Sequence, residues 1–198
     1  YDWKKFPSRT EIIQNIISHK KYSTYLEIGC DQDENFSKID LKEKIGVDPK
    51  SGGTHRMTSD TFFKSNKKKF DFIYVDGLHT YEQAIKDIKN ALVFLNENGI
   101  ILLHDCLPKK IWNQIVPRIY GHWNGDVWKA IVETRTWNHV DTVTIIADHG
   151  LGLIKKNKNS NILMDKIKNF KRLKYKDYYT KHQRYMNPIN FEDLHKVI

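Results

Sequence analysis

The run Ile100-Ile101-Leu102-Leu103 contains no polar position, so a strand built on it has no face left for water. Phe70-Asp71-Phe72-Ile73-Tyr74-Val75 is nearly as apolar, and it ends in Asp76 much as the first run ends in His104-Asp105. Strands covered on both faces belong to parallel sheets, and parallel strands are joined by crossovers that usually carry a helix. The segment between the two runs supplies one. Tyr81, Ala84, Ile85, Ile88, Ala91, Leu92 and Leu95 recur at helical spacing, and Gly99 ends the unit. An α/β fold follows. At 198 residues the chain is expected to be one domain, burying roughly 70% of its unfolded surface.

The same alternation extends in both directions. Pro7-Ser8-Arg9-Thr10-Glu11 is a helix-start signal, and Ile12, Ile13, Ile16 and Ile17 mark one apolar helical face. A strand over 24–28 follows, then a helix from about Asn35 and a strand over 44–47. Met57 to Phe63 reads as a short strand running into a helix capped by Ser59 or Asp60. Residues 107–137 read as irregular and aromatic. Val140–Ala147 and Leu151–Lys155 read as a hairpin around Asp148-His149-Gly150.

The strand Thr24–Ile28 runs into Gly29-Cys30-Asp31, and the next strand ends in Asp48, 19 residues after Gly29. A glycine turn followed by a carboxylate at the second strand tip makes a nucleoside-binding βαβ unit, the carboxylate accepting from ribose hydroxyls. A dinucleotide site would need more glycines around a pyrophosphate. Here the loop holds Asp31, Asp33 and Glu34, which repel phosphate and tolerate a cationic ligand without one. S-adenosylmethionine (SAM), with its sulfonium and ammonium, is such a ligand.

On Glu27, Gly29 and the loop after them the chain resembles the class I SAM-dependent methyltransferases, with Asp31 standing where a second glycine is usual. The resemblance covers roughly residues 10–155. It implies a Rossmann-like, mostly parallel seven-stranded sheet with an antiparallel last strand and helices on both faces. Residues 1–155 would form the methyltransferase domain, and 156–198 a basic, mainly helical extension packed on or beside it, with Leu163, Ile167 and Phe170 on one face. Val75-Asp76-Gly77-Leu78-His79 and Leu103-His104-Asp105 are similar to motifs of small methyltransferases from bacterial polysaccharide and natural-product pathways. In their metal-dependent relatives two such aspartates hold Mg²⁺. Asp76 and Asp105 match those positions, Cys106 replaces an asparagine, and His104 or His79 would complete the shell.

Ligands of an open α/β sheet bind beyond the carboxyl ends of its strands. The cofactor set expected there is Glu27, Gly29, Asp31, Asp48, Ser59, Asp60 and Asp76. Asp48 would meet the ribose, and Glu27 would meet the loop or the SAM amine. Thr58, Ser59 and Asp60 resemble the adenine-contacting position, with Asp60 equally readable as a helix cap. Methyl transfer is an in-line displacement, so it needs positioning and a base for the acceptor proton. His79 or His104 suits that role, with Asp76 or Asp105 as orienter or metal ligand. Four of the five tryptophans fall in 107–137. Trp123, Trp128, Lys129 and Arg135 are therefore candidates for an acceptor lid, and packing over the sheet explains the tryptophans equally well.

Charge is uneven. Residues 1–154 carry 21 Lys+Arg against 20 Asp+Glu, and residues 155–185 carry 11 against 2. The domain holding the site is thus close to neutral, which argues against a nucleic-acid substrate. The basic segment reads as a solvated surface, an anionic-acceptor or membrane contact, or an RNA contact. No apolar run reaches the ~20 residues of a membrane span, and the opening residues lack a signal peptide's apolar core. Two cysteines, Cys30 and Cys106, make no disulfide framework and read as space-filling, so a reducing cytoplasm is the expected compartment. A homo-oligomer is compatible with the chain. The expectation is a SAM-dependent O-methyltransferase of a sugar or other small hydroxylated acceptor. The rivals are an RNA or protein methyltransferase using the basic segment, and a non-catalytic SAM-fold binding protein.

Overall fold

The computed structural model describes residues 1–198. Its strands are β1 (Thr24–Ile28), β2 (Glu43–Val47), β3 (Phe70–Val75), β4 (Leu95–Leu103), β5 (Asp141–Ile145), β6 (Leu151–Lys155) and β7 (Pro188–Ile189). They form one seven-stranded sheet in the order β2-β1-β3-β4-β6-β5-β7. Only β6 runs against the others, pairing antiparallel with both β4 and β5. The mostly parallel seven-stranded sheet expected from the sequence is present, but its antiparallel strand is the sixth in the chain and not the last. The seventh strand comes from the extension, where Pro188 and Ile189 pair parallel with Thr144 and Ile145.

The helices are α1 (Arg9–Lys20), α2 (Ser59–Ser65), α3 (Tyr81–Phe94), α4 (Trp128–Thr134), α5 (Tyr175–Thr180) and α6 (His182–Met186). No helix is long and apolar enough to cross a membrane. Alternate strand residues face opposite ways, and that period sorts the core in two. Leu26, Ile28, Ile73, Val75, Ile101 and Leu103 pack with Phe62 and Phe63 of α2, Ile85 and Ile88 of α3, and Trp128 and Ile131 of α4. Tyr25, Phe72, Tyr74, Ile100 and Leu102 pack on the other face with Ile12, Ile13, Ile16 and Ile17 of α1. Each of these buried isoleucines contributes roughly 2 kcal/mol of transfer free energy. Ser8 and Glu11 cap α1 reciprocally, as the start signal requires.

Local expectations fail where side chains have tertiary partners. No α-helix starts at Asn35; a single 3₁₀ turn, Phe36–Lys38, fills the first crossover. Asn35 is buried, with its amide spent on Glu27 and Tyr25, and this pins the chain where a helix would carry it away. Met57 begins no strand, and the cap of α2 is Thr58, whose hydroxyl accepts from Thr61 N; Ser59 and Asp60 lie inside the first turn. Gly99 does not end α3. It sits within β4 where the register with β3 shifts, and a Cβ there would come within 2.9 Å of the Asp71 carbonyl oxygen. Residues 156–168 form no helix, although Leu163 is buried against Trp128, Tyr178 and the rest of one core layer.

Candidate active site

The carboxyl ends of β1 to β4 open into a cleft of about 830 Å³. It is lined by Glu27, Gly29, Asp31, Asp48, Ser59, Asp60, Asp76, His79, His104 and Asp105, so every strand-tip residue expected from the sequence faces one space. Trp123 lines it too. Trp128, Lys129 and Arg135 do not, and their assignment to an acceptor lid is corrected. Trp128 is fully buried in the core. Lys129 is buried and bonded to Asp126 at 2.9 Å and to the Lys171 carbonyl. Arg135 is buried, and its guanidinium donates to the Asn161 carbonyl. All three lie on or just after α4, whose packing on the sheet claims them.

Gly29 has φ +87°, and a Cβ there would fall 2.1 Å from the Asp76 carbonyl oxygen, so the β1 loop and the β3 tip touch backbone to backbone. Asp31 also has positive φ, +46°, a conformation that aspartate tolerates better than most residues. This is how the loop dispenses with a second glycine. Asp48 accepts from the backbone N–H groups of Lys50 (2.7 Å), Ser51 (3.0 Å) and Asp31 (3.1 Å). Burial opposes its ionisation, but these donors hold its pKa below the ordinary carboxylate value. Glu27 is buried and accepts from Tyr25 Oη (2.5 Å) and Asn35 Nδ2 (2.8 Å). Burial outweighs both bonds and pushes it up to about 7. Ser59 and Asp60 are bridged by Gln83 from α3, and Asp60 also pairs with Lys86.

The other half of the cleft is a chain of acids and imidazoles. His79 Nε2 lies 3.2 Å from Asp76 Oδ1, and its Nδ1 lies 3.2 Å from both the Trp123 carbonyl and Asp105 Oδ2. Its ring stacks on Trp123 at 5.4 Å. Gly125 lets the irregular segment pass this close, because a Cβ there would collide with the His79 carbonyl. His104 Nδ1 lies 3.1 Å from Asp76 Oδ1, and its Nε2 lies 2.9 Å from the Asp148 carbonyl. Asp148 in turn accepts from Arg9 N at 2.6 Å and faces the Arg9 guanidinium at 3.5 Å.

Electrostatics separates the two histidines. Burial disfavours the His104 cation, but Asp76 and Asp105 prevail and raise its pKa well above the ordinary value. His104 is thus a buried counter-ion with both nitrogens engaged. It cannot readily accept a proton, and it joins neither group of residues placed to hold a metal, so its expected place in a metal shell passes to His79. The geometric groups are Asp76, His79 and Asp105, and separately Asp105, His122 and His149. His79 is also raised, burial being outweighed by its bond to Asp76 and by the charges of Asp105 and Asp76. Its side chain is 23% exposed, against 7% for His104. Asp76 is held well below the usual range: burial opposes this, and His104 and His79 overcome it. Asp105 is raised by burial. His149 is pushed down to about 4 by burial and the charges of His122 and His104.

Arg9, Asp148 and His149 escaped the sequence reading as site residues. Asp148 and His149 read only as a hairpin turn. Yet β5 runs parallel to β4, so the residues that follow it must come to the same sheet edge as Asp105. No residue of 155–198 lines the cleft.

Residues 21–106 match the family model of a methyltransferase domain. A search of curated proteins by sequence gives no match. Among solved structures, the SAH-bound methyltransferase PaMTH1 of Podospora anserina superposes with a TM-score of 0.60 at 18% identity, over 78% of this chain and 81% of that one. An O-methyltransferase of Bacillus cereus in complex with SAH gives 0.54 at 12% identity, over 75% and 79%. The O-methyltransferase TomG of Streptomyces achromogenes, solved with SAM and involved in tomaymycin synthesis, gives 0.54 at 9% identity, over 75% and 79%. At such identities the likeness is one of fold. By that fold the chain is similar to these methyltransferases, and its residues 21–106 match a methyltransferase domain.

Proposed function

We propose that this enzyme transfers the methyl group of SAM to a hydroxyl of a small, sugar-like acceptor, with His79 as the base. The observation that carries the reading is the His79–Asp76 pair at 3.2 Å, stacked on Trp123 and open to the cleft that Gly29 and Asp48 border. Glu27 and Asp31 suit the ammonium and sulfonium of SAM, and Asp48 stands at the β2 tip for the ribose.

SAM supplies an electrophilic methyl carbon whose leaving group is a neutral thioether. As the acceptor oxygen bonds to that carbon and the C–S pair returns to sulfur, His79 Nε2 takes the hydroxyl proton. The Trp123 carbonyl accepts the proton on Nδ1, so in neutral His79 the Nε2 lone pair faces Asp76. The acceptor hydroxyl enters between them, and the proton it passes to Nε2 makes the bond to Asp76 that steadies the imidazolium. His104 keeps Asp76 ionised and in place. Trp123 offers the acceptor ring an aromatic face.

The carboxylates of Asp76 and Asp105 fit Mg²⁺, which commonly takes one or two carboxylates and keeps water or substrate oxygens for the rest. Bound there, the ion would lower the pKa of an acceptor hydroxyl. The neutral charge of residues 1–154 and the absence of 155–198 from the cleft support a small acceptor over RNA or protein. Titration with S-adenosylhomocysteine followed by a screen of hydroxylated acceptors for methylated product tests the reading. Micromolar binding lost in Asp48→Ala, with turnover lost in His79→Ala, is the expected result. Binding without turnover on any hydroxyl would leave a SAM-binding scaffold instead.

A further inference from the structure

The irregular segment between β4 and α4 brings His122 beside the β5–β6 turn. There its ring stacks on His149 at 4.0 Å between centroids. One ligand atom from each of Asp105, His122 and His149 lies within 4.8 Å of the other two. Three parts of the chain supply them: the β4 tip, the irregular segment and the hairpin turn. No hydrogen bond within the chain claims either imidazole. Two cationic rings would repel one another in such a stack, whereas two neutral rings sharing a cation are held together by it.

The framework is fixed before any ion arrives. Cys106 N donates to the Gly150 carbonyl at 3.0 Å and Leu107 N to the His149 carbonyl at 2.8 Å, which ties the turn to the β4 tip. Asn124 Nδ2 donates to Asp105 Oδ1 at 2.7 Å, orienting the carboxylate from the same segment that carries His122. Oriented ligands of this kind are what metal sites use beyond the ligands themselves.

We infer that Asp105, His122 and His149 bind a borderline divalent transition metal, zinc in particular, which clamps the irregular segment onto the hairpin turn. Two imidazoles and one carboxylate select zinc-like ions over Mg²⁺, and three protein ligands leave a position free for water or an acceptor oxygen. The site differs from the oxygen-rich pair Asp76 and Asp105, with which it shares one carboxylate. The inference stands without the methyl-transfer reading, because its readout needs neither cofactor nor acceptor.

The test is titration of metal-stripped protein with Co²⁺ in excess Mg²⁺, followed by its visible d–d absorption, with Zn²⁺ as competitor. The expected result is one equivalent bound, displaced by Zn²⁺, and weakened at least tenfold in both His122→Ala and His149→Ala. His79→Ala should retain it. Zn²⁺ should also slow tryptic cleavage after the exposed Arg118 in the wild type, but not in His122→Ala. His122 is exposed, so its variant should fold, and an unchanged far-UV spectrum confirms that. Absence of Co²⁺ binding overturns the inference. So does binding indifferent to His122→Ala, or binding abolished by His79→Ala, which would place the ion beside Asp76.

Discussion

The carbonyl oxygen of Asp76 occupies the space that a side chain on Gly29 would need, 2.1 Å from where its Cβ would stand. The β1 loop and the β3 tip, which carry Asp31 and Asp76 on two sides of the cleft, are therefore in direct backbone contact. Gly29→Ala must both clash and adopt a left-handed conformation. It is expected to cost about 2 kcal/mol or more, lowering the midpoint by several degrees and weakening S-adenosylhomocysteine binding at least tenfold. Differential scanning calorimetry and titration check both.

His79→Ala should reduce kcat by about 10²- to 10⁴-fold while leaving cofactor affinity within twofold. As the proposed base His79 works only when neutral, and its pKa lies above the ordinary 6.5. The wild-type rate should therefore rise with pH through a limb above that value. Asp76 holds the limb up by hydrogen bond and charge, so Asp76→Asn should move the residual activity's limb to lower pH. A full pH–rate profile of each variant decides the assignment.

Glu27 is a buried acid lifted to about 7 in the folded chain. A raised folded value favours the folded state below the unfolded pKa near 4.5, and the advantage is lost as pH rises through about 7. Replacing it with the neutral Gln should therefore stabilise the ligand-free protein at pH 8 and leave it little changed at pH 4. The ammonium of SAM would favour the ionised form, so cofactor binding near pH 6.5 should release a proton. Calorimetry in buffers of different ionisation enthalpy should detect that release in the wild type and not in Glu27→Gln.

Two tryptophans of one segment should answer differently. Trp123→Ala removes an aromatic face of the cleft and should raise the acceptor KM with cofactor affinity unchanged. Trp128→Ala empties a core position and should cost roughly 3–5 kcal/mol, visible as a large fall in the melting midpoint.

Those two residues also mark where the sequence stopped being legible. Ile100–Leu103 and Phe70–Val75 could only be covered strands, and the periodicity of α3 had one interpretation, so the sheet followed from local pattern. Gly29, Asp48, Asp76 and Asp105 followed in turn, because strand tips share an edge. An aromatic-rich segment has no comparable period. Trp123 and Trp128 differ only in what folds against them, and Lys129 beside Trp128 reads as an acceptor-lid residue until Asp126 and the Lys171 carbonyl reach it. Asp148 and His149 look like turn residues because their partners, Arg9, His104 and His122, lie at sequence distances that no local pattern reports. Asn35 was misread for the same reason.

The pairing of Pro188 and Ile189 with β5, and the full burial of Leu194, have a consequence for biosynthesis. Every residue that lines the cleft has been translated by Trp123, yet the outer edge of β5 stays bare until residues 188–194 have left the ribosome. A nascent chain paused before that point would carry all of the cleft-lining side chains on a sheet still open to pairing with another chain. The short pairing of Pro188 and Ile189 thus protects the outer edge of β5 from recruiting a strand of another chain.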